Sequence, residues 1–177
     1  MTNPPYFRVL VIGISLGIAA VGCSKGAPVP VPVPAEVVAP KTPVVADDQA
    51  AVAALTEAGF LLTKNADGNV TEFSVASDSD ISSSFVHLAG IPSVETARFT
   101  GPGITDAGQE SLDKLKEIKR LDVTDSAVGD ETLKVASHLG QLEAIFLRRT
   151  AVTDGGLAAL TGLTKLRAVD LRNSNIT

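Results

Sequence analysis

The chain has 177 residues, of which 45% are apolar and 4% aromatic, and it carries a formal net charge of -5. This acidic balance argues against sequence-independent binding to nucleic acid, which needs a basic face to displace phosphate counterions. The chain's one cysteine, Cys23, excludes an internal disulfide framework and a zinc site of the CxxC type.

An uncharged apolar run occupies residues 9–21 and follows Arg8. It is shorter than the roughly 20 residues that cross a bilayer, and its length is typical of the hydrophobic region of a signal peptide. We therefore predict a signal peptide over residues 1–22.

The residues that end this run, Ala20-Val21-Gly22-Cys23, resemble the lipobox of bacterial lipoproteins. The resemblance implies cleavage before Cys23 and lipidation of its thiol. It also implies a membrane-anchored lipoprotein of the cell envelope, on the periplasmic or the surface face. The alternatives are an incidental cysteine in an ordinary signal peptide and an uncleaved anchor.

A proline-rich stretch follows the lipidation motif. Six of the ten prolines fall within residues 27–45, where they largely alternate with valine, and this pattern favours an extended polyproline II spacer. We predict that residues 23–46 are a disordered linker holding the domain away from its anchor. The alternative is a PxxP ligand for a partner domain.

Residues 47–69 are predicted to form an N-terminal cap. Asp47 or Asp48 suits the start of a helix that Gly59 would end, and residues 60–64 suit a strand joined by a turn to the next strand. Such a helix and hairpin would cover the first layer of a repeat protein, as solubility requires.

Apolar residues recur every 24 positions from Val70 onward. Of 32 slots in this register 30 are apolar, the exceptions being Asp80 and Gln109, whereas chance would give about 14. One such row contains Phe73, Ala97, Leu121, Ile145 and Val169.

The L-x-x-L-x-L pattern, clearest as Leu142-x-x-Ile145-x-Leu147, resembles the leucine-rich repeat in its ribonuclease-inhibitor-like or cysteine-containing style. The resemblance covers residues 70–177, about 4.5 repeats. It implies an α/β leucine-rich-repeat solenoid with short parallel strands on the concave face and a helix per repeat on the convex face. Residues 47–69 would be its N-terminal helix-hairpin cap.

Polar residues also recur in phase with the repeat. Ser82, Asp106, Asp130 and Asp154 precede apolar helical patterns, and we expect them to be N-caps of those helices. Hydroxyl side chains replace the family's asparagine ladder and are expected to satisfy backbone groups of the turns. They are Ser126, Thr150 and Ser174.

The positions between the inward leucines would point out from the concave face. An outward Phe146 among arginines is the combination enriched at binding hot spots. The alternative is a tolerated exposed aromatic beside arginines that pair with aspartates. The candidate binding surface consists of Arg98, Asp122, Phe146, Arg148, Arg149, Asp170 and Arg172.

The chain shows no pattern of a catalytic, metal or cofactor site. His87 and His138 are its only histidines and lack metal-ligand spacing, and no nucleophile elbow or phosphate-binding glycine loop is present. We predict a non-catalytic protein–protein interaction module of the bacterial envelope, binding another protein and no nucleic acid.

Three other functions compete with this prediction: a structural or truncated repeat protein without a specific ligand, an envelope enzyme, and a ubiquitin-ligase-type substrate adaptor, which repeat similarity alone would suggest. The last repeat has no following helix in the sequence, so we expect an uncapped C-terminal rung that supports self-association.

Overall fold

Strands and short helical segments alternate through residues 45–177, the part of the chain described by the computed structural model. The predicted signal peptide, Cys23 and nearly all of the predicted linker lie outside the described residues. No helix within residues 45–177 has both the length and the apolarity to span a bilayer.

One six-stranded sheet forms one layer, with its strands in chain order. β1 pairs antiparallel with β2, and every later neighbour pairs parallel. The mixed α/β arrangement and the mostly parallel sheet agree with the predicted fold class. The strands are β1 (Leu61–Lys64), β2 (Val70–Ala76), β3 (Thr96–Thr100), β4 (Arg120–Asp122), β5 (Ala144–Phe146) and β6 (Ala168–Asp170).

The parallel strands align so that each residue faces the residue 24 positions further along the chain. Phe73 pairs with Ala97, and the row continues through Leu121, Ile145 and Val169. The first four side chains are 0% exposed, whereas Val169 is 45% exposed. Because side chains alternate between the faces of a strand, the buried row directs the intervening residues to the opposite face.

Helical segments form the second layer and pack on one another in chain order. They are α1 (Gln49–Glu57), 3-10 helices at Ser82–Gly90 and Gln109–Lys114, α2 (Asp130–Ala136), α3 (Asp154–Ala159) and a 3-10 turn at Leu160–Gly162. The expectation of a helix in every repeat is therefore met by 3-10 helices in the first two. Three consecutive serines open the first, and Gly108, with φ 76°, precedes the second. Both features favour turns over α-helix.

The helix predicted ahead of the repeats begins and ends as expected. The Asp48 side chain accepts a hydrogen bond from the Ala50 amide at 2.9 Å, and Gly59 follows the helix with φ 90°. Asp47 has a different role, because its carboxylate accepts a hydrogen bond from the Val70 amide. α1 packs against the 3-10 helix at Ser82–Gly90, and β1 packs against β2.

Four phenylalanine rings pack together at this end of the sheet. Their centroids are 5.1–6.2 Å apart, in tilted and edge-to-face arrangements that aromatic pairs prefer. The rings are those of Phe60, Phe73, Phe85 and Phe99. Four of the five phenylalanines within residues 45–177 are therefore packed together at the β1–β3 end of the sheet.

The in-phase aspartates do not cap the helices that they precede, and neither does Ser82, so the capping prediction is wrong. Each carboxylate instead reaches the next repeat. Adjacent parallel strands are about 4.8 Å apart, which brings the neighbouring repeat's amides and hydroxyls within reach. Asp106 accepts from Gly129 and Thr132, Asp130 from Thr153, and Asp154 from Thr177.

The three hydroxyl side chains of the turns do behave as predicted. Ser126 and Thr150 each donate to the carbonyl three residues earlier, at 2.6 and 2.7 Å, and Ser174 repeats the contact with Leu171. Because Ser126 and Thr150 are buried, these bonds satisfy groups that water does not reach.

Candidate binding surface

The face of the sheet opposite the buried row, here called the open face, holds the predicted binding residues. Backbone pairing places Ser74, Arg98, Asp122, Phe146 and Asp170 side by side in one row. Of the predicted residues, four therefore lie in a single line across neighbouring strands.

The pairing continues beyond the strand ends and positions the remaining arginines. The Asp125 amide donates to the Arg148 carbonyl at 2.9 Å, and the Arg149 amide donates to the Arg172 carbonyl at 3.1 Å. Arg148 and Arg172 therefore occupy adjacent positions just past β5 and β6. Arg149 lies one residue further on, in the turn.

The turns share a left-handed backbone conformation. Asp125, Arg149 and Asn173 have φ between 54° and 61°, and Gly101 occupies the equivalent position with φ 108°. Residues other than glycine rarely adopt this conformation, so the turn fixes where these side chains point. Arg149 is used within the molecule, since its guanidinium makes a two-point ion pair with the Asp125 carboxylate of the preceding repeat.

Two further arginines of the predicted set pair with aspartates. Arg98 lies 3.4 Å from the Asp122 carboxylate on the next strand, and Arg172 lies 2.6 Å from the carboxylate of Asp170. The hydrogen bonds from Arg172 are the main reason that the pKa of Asp170 falls from 3.8 to about 2. These pairs are partly exposed and contribute little to stability, but they hold the side chains in place.

Phe146 lies between Asp122 and Asp170 in the row and is half-buried. The Arg120 guanidinium carbon lies 4.2 Å from the centroid of its ring, a cation–π contact worth roughly 0.5–1 kcal/mol at an exposed site. Sequence reasoning missed Arg120. It lies on the same face of the adjacent strand, two residues before Asp122, and is therefore diagonal to Phe146.

Arg148 differs from the other predicted arginines. Its Nε atom is buried and has no hydrogen-bond partner within residues 45–177. Its charge is felt by two carboxylates that already have closer partners. The pKa of Asp125 is lowered mainly by its hydrogen bond from Arg149, and that of Asp170 by Arg172, with Arg148 adding to both effects.

The polar side chains on the helical side that could take part in catalysis or metal binding are few, and most of them pair with one another. His138 is exposed, with Nδ1 3.3 Å from the Asp113 carboxylate, and that carboxylate also binds Lys116. A shallow cleft beside it is lined by Asp106, Glu131 and Lys134, all of which have partners inside the molecule. The part of the chain that the structure describes holds no group of three or more metal-ligating side chains.

Comparison with known proteins gives a likeness at the level of structure only. No family model matches the chain, and no curated protein matches it. Among solved structures, an internalin (inlF) from Listeria monocytogenes aligns with a TM-score of 0.45 and 22% sequence identity. The alignment covers 56% of this chain and 27% of the internalin, so the chain spans about a quarter of that protein's length.

Proposed function

We propose that this protein is a non-catalytic interaction module that binds another protein through the open face of its sheet. The observation that carries the proposal is Phe146, a half-buried aromatic ring on the open face that has the Arg120 guanidinium 4.2 Å from its centroid and Arg148 two residues further along the chain. Aromatic and arginine side chains dominate the energetic centres of protein interfaces, because they combine large contact area with directional polar groups.

The proposal includes a more specific architecture. The 24-residue units would form a leucine-rich-repeat solenoid whose concave side is the open face, with α1 and β1 as its N-terminal cap. The in-register strand pairing and the ordered packing of the helical layer support this arrangement. α1 and β1 extend both layers at the β2 end, as a cap must do.

We also propose that the module is held at the cell envelope by lipid on Cys23 and a proline-rich spacer. The support comes from the sequence motif around Cys23 and the proline pattern that follows it. Mass spectrometry of the mature amino terminus tests this part by itself. A diacylglyceryl adduct on Cys23 is expected, and an intact Met1 would contradict it.

The size of the open face indicates weak binding by one copy. The five parallel strands at about 4.8 Å spacing, with about five residues at about 3.3 Å along each strand and the turn that follows it, give near 300 Å² of surface. A standard interface takes about 800 Å² per partner. Useful affinity would therefore require flanking surfaces or several tethered copies acting together.

Capture from envelope extract tests the binding function. Full-length protein and its Phe146→Ala variant are compared with Val86→Ala, a control at an exposed apolar residue of the helical layer. A partner captured by wild type and by Val86→Ala but lost with Phe146→Ala is expected. Equal capture by all three proteins, or none by any, would contradict binding through the open face.

Self-association is a second candidate function, favoured by Val169. This residue is 45% exposed, whereas Leu121 and Ile145 in the same row are fully buried. A second copy that packs on β6 would bury it. Light scattering at micromolar concentration should then detect a dimer that Val169→Asp abolishes. A monomer at all concentrations would exclude this use of the surface.

A further inference from the structure

The arginines at the open face divide into two groups. Arg98, Arg149 and Arg172 each have a carboxylate within ion-pair distance. Arg120 and Arg148 have none within residues 45–177; Arg120 lies over the Phe146 ring, and Arg148 follows Phe146 by two residues. The open face therefore presents two positive charges without close partners, in a chain whose formal net charge is -5.

Arg148 is the more informative of the two. Its Nε–H is shielded from water and has no acceptor, which is an unfavourable condition for a buried donor. An incoming carboxylate that pairs with the guanidinium would displace no carboxylate partner of Arg148 within residues 45–177. The neighbouring carboxylates of Asp125 and Asp170 cannot easily pair with it, because Arg149 and Arg172 already bind them.

From this division of charges we infer that the partner supplies carboxylates: an acidic peptide segment of another protein lies across Phe146 and pairs with Arg148 and Arg120. The inference rests on the proposed function and specifies the chemistry of its partner. Asp122, Asp125 and Asp170 border the site and would repel the continuous negative charge of a nucleic acid or an anionic bilayer.

Selection from a random peptide library displayed on phage, with the full-length protein as bait, tests the inference. Selected peptides should be enriched in Asp and Glu. Arg148→Gln and Arg120→Gln should each weaken binding of a selected peptide about tenfold to a hundredfold, the range for a hydrogen-bonded charge. Lys114→Gln, an exposed lysine on the helical side, is the matched control and should leave affinity unchanged.

Charge exchange provides the more demanding test. Arg148→Glu should lose the selected acidic peptide, and a peptide in which the facing carboxylate is replaced by lysine should regain binding to that variant alone. Circular dichroism spectra matching wild type establish that each variant is folded. Competition by anionic vesicles or single-stranded DNA as strong as that by the peptide would overturn the inference.

The outcomes separate the inference from the function on which it rests. Peptides that lose binding with Phe146→Ala but show no acidic enrichment would overturn the carboxylate partner and leave the open face as a binding site. Peptides whose binding is unaffected by Phe146→Ala, or a failure to select any, would overturn both.

Discussion

Asp106 precedes the second helical segment of the repeats, yet its carboxylate binds Thr132 in the following repeat. Oδ1 accepts hydrogen bonds from the Thr132 amide at 3.1 Å and hydroxyl at 2.6 Å, and from the Gly129 amide at 2.9 Å. Thr132 is the third residue of α2, so the carboxylate caps a helix that begins 24 residues further along the chain.

Replacing Asp106 should destabilise the protein because Thr132 is 1% exposed, and its amide and hydroxyl would both lose the one oxygen that accepts from them. We expect Asp106→Ala to lower the free energy of unfolding by about 2–4 kcal/mol, and Asp106→Asn, which keeps one acceptor, by less. Urea denaturation measures the difference. Asp130→Ala is the comparison, and its loss should be smaller because its partner Thr153 is exposed. An unchanged stability in Asp106→Ala would contradict the cross-repeat cap, and equal losses for the two alanine variants would contradict the effect of burial at Thr132.

Gln109 is a polar residue at an apolar position of the repeat. It is 1% exposed, its Nε2 donates to the Thr105 carbonyl at 3.2 Å, and its Oε1 has no partner within residues 45–177. Leu133 holds the equivalent position one repeat later. We expect Gln109→Leu to raise the free energy of unfolding by about 1–2 kcal/mol, since it removes an unsatisfied acceptor.

Gln109→Glu makes the opposite change at the same position and should destabilise, because it buries a charge without a partner. The melting temperatures of the two variants and of the wild-type protein, measured by thermal unfolding, test both expectations. A lower melting temperature for the leucine variant would show that the amide has a structural role that its contacts do not reveal.

Gly103 marks a place where two repeats approach closely. A Cβ atom added there would lie 2.2 Å from the Ser79 carbonyl oxygen, and the Gly103 amide donates to the Ser77 carbonyl at 3.0 Å. Gly103→Ala should therefore lower the free energy of unfolding by at least about 1–3 kcal/mol, because backbone must move. At Gly140 nothing lies within 4 Å, so Gly140→Ala should leave stability unchanged or slightly raised.

The Asp170–Arg172 pair should make the free energy of unfolding depend on pH in the acidic range. The pKa of Asp170 is lowered from 3.8 to about 2 in the folded protein, chiefly by hydrogen bonds from Arg172. The stabilisation is therefore complete above about pH 4 and is lost as the pH falls towards 2. Carbon-13 NMR of the carboxylate should show a midpoint near 2 that rises towards 3.8 in Arg172→Gln.

Lys134→Gln is the control for that titration, because Lys134 pairs with Glu131 on the helical side. It should leave the Asp170 midpoint in place. Added salt should raise the midpoint, since the pair is partly exposed and salt screens it. A midpoint near 3.8 in the wild-type protein would mean that the ion pair does not persist in solution.

The sequence predicted the strand register well because the apolar positions restrict how neighbouring strands can align. Only one alignment places Phe73, Ala97, Leu121 and Ile145 on the buried side together. The same periodicity placed Arg98, Asp122, Phe146 and Asp170 on one face. Strand alternation is a constraint that acts residue by residue, so it can be read directly from the chain.

The partners of the polar groups could not be predicted in this way. An aspartate before an apolar helical pattern fits a cap of its own helix, and only the distance between repeats shows that the next helix is nearer. Arg149 and Arg172 illustrate the same difficulty. One pairs with Asp125, 24 residues away, and the other with Asp170, two residues away, because the turn and strand backbones orient the two arginines differently.

The four clustered phenylalanines should make the β2 end of the sheet more stable against local unfolding than the β6 end. Their packed rings join β2, β3 and the residue before β1 to the 3-10 helix at Ser82–Gly90, whereas Val169 of β6 is 45% exposed. Because each unit packs only on its neighbours, we expect local unfolding to begin at β6 and to proceed repeat by repeat towards β2. In a hydrogen-exchange experiment, the amides of β6 should therefore exchange for deuterium first. The amides of β2, beside the four phenylalanines, should be protected longest.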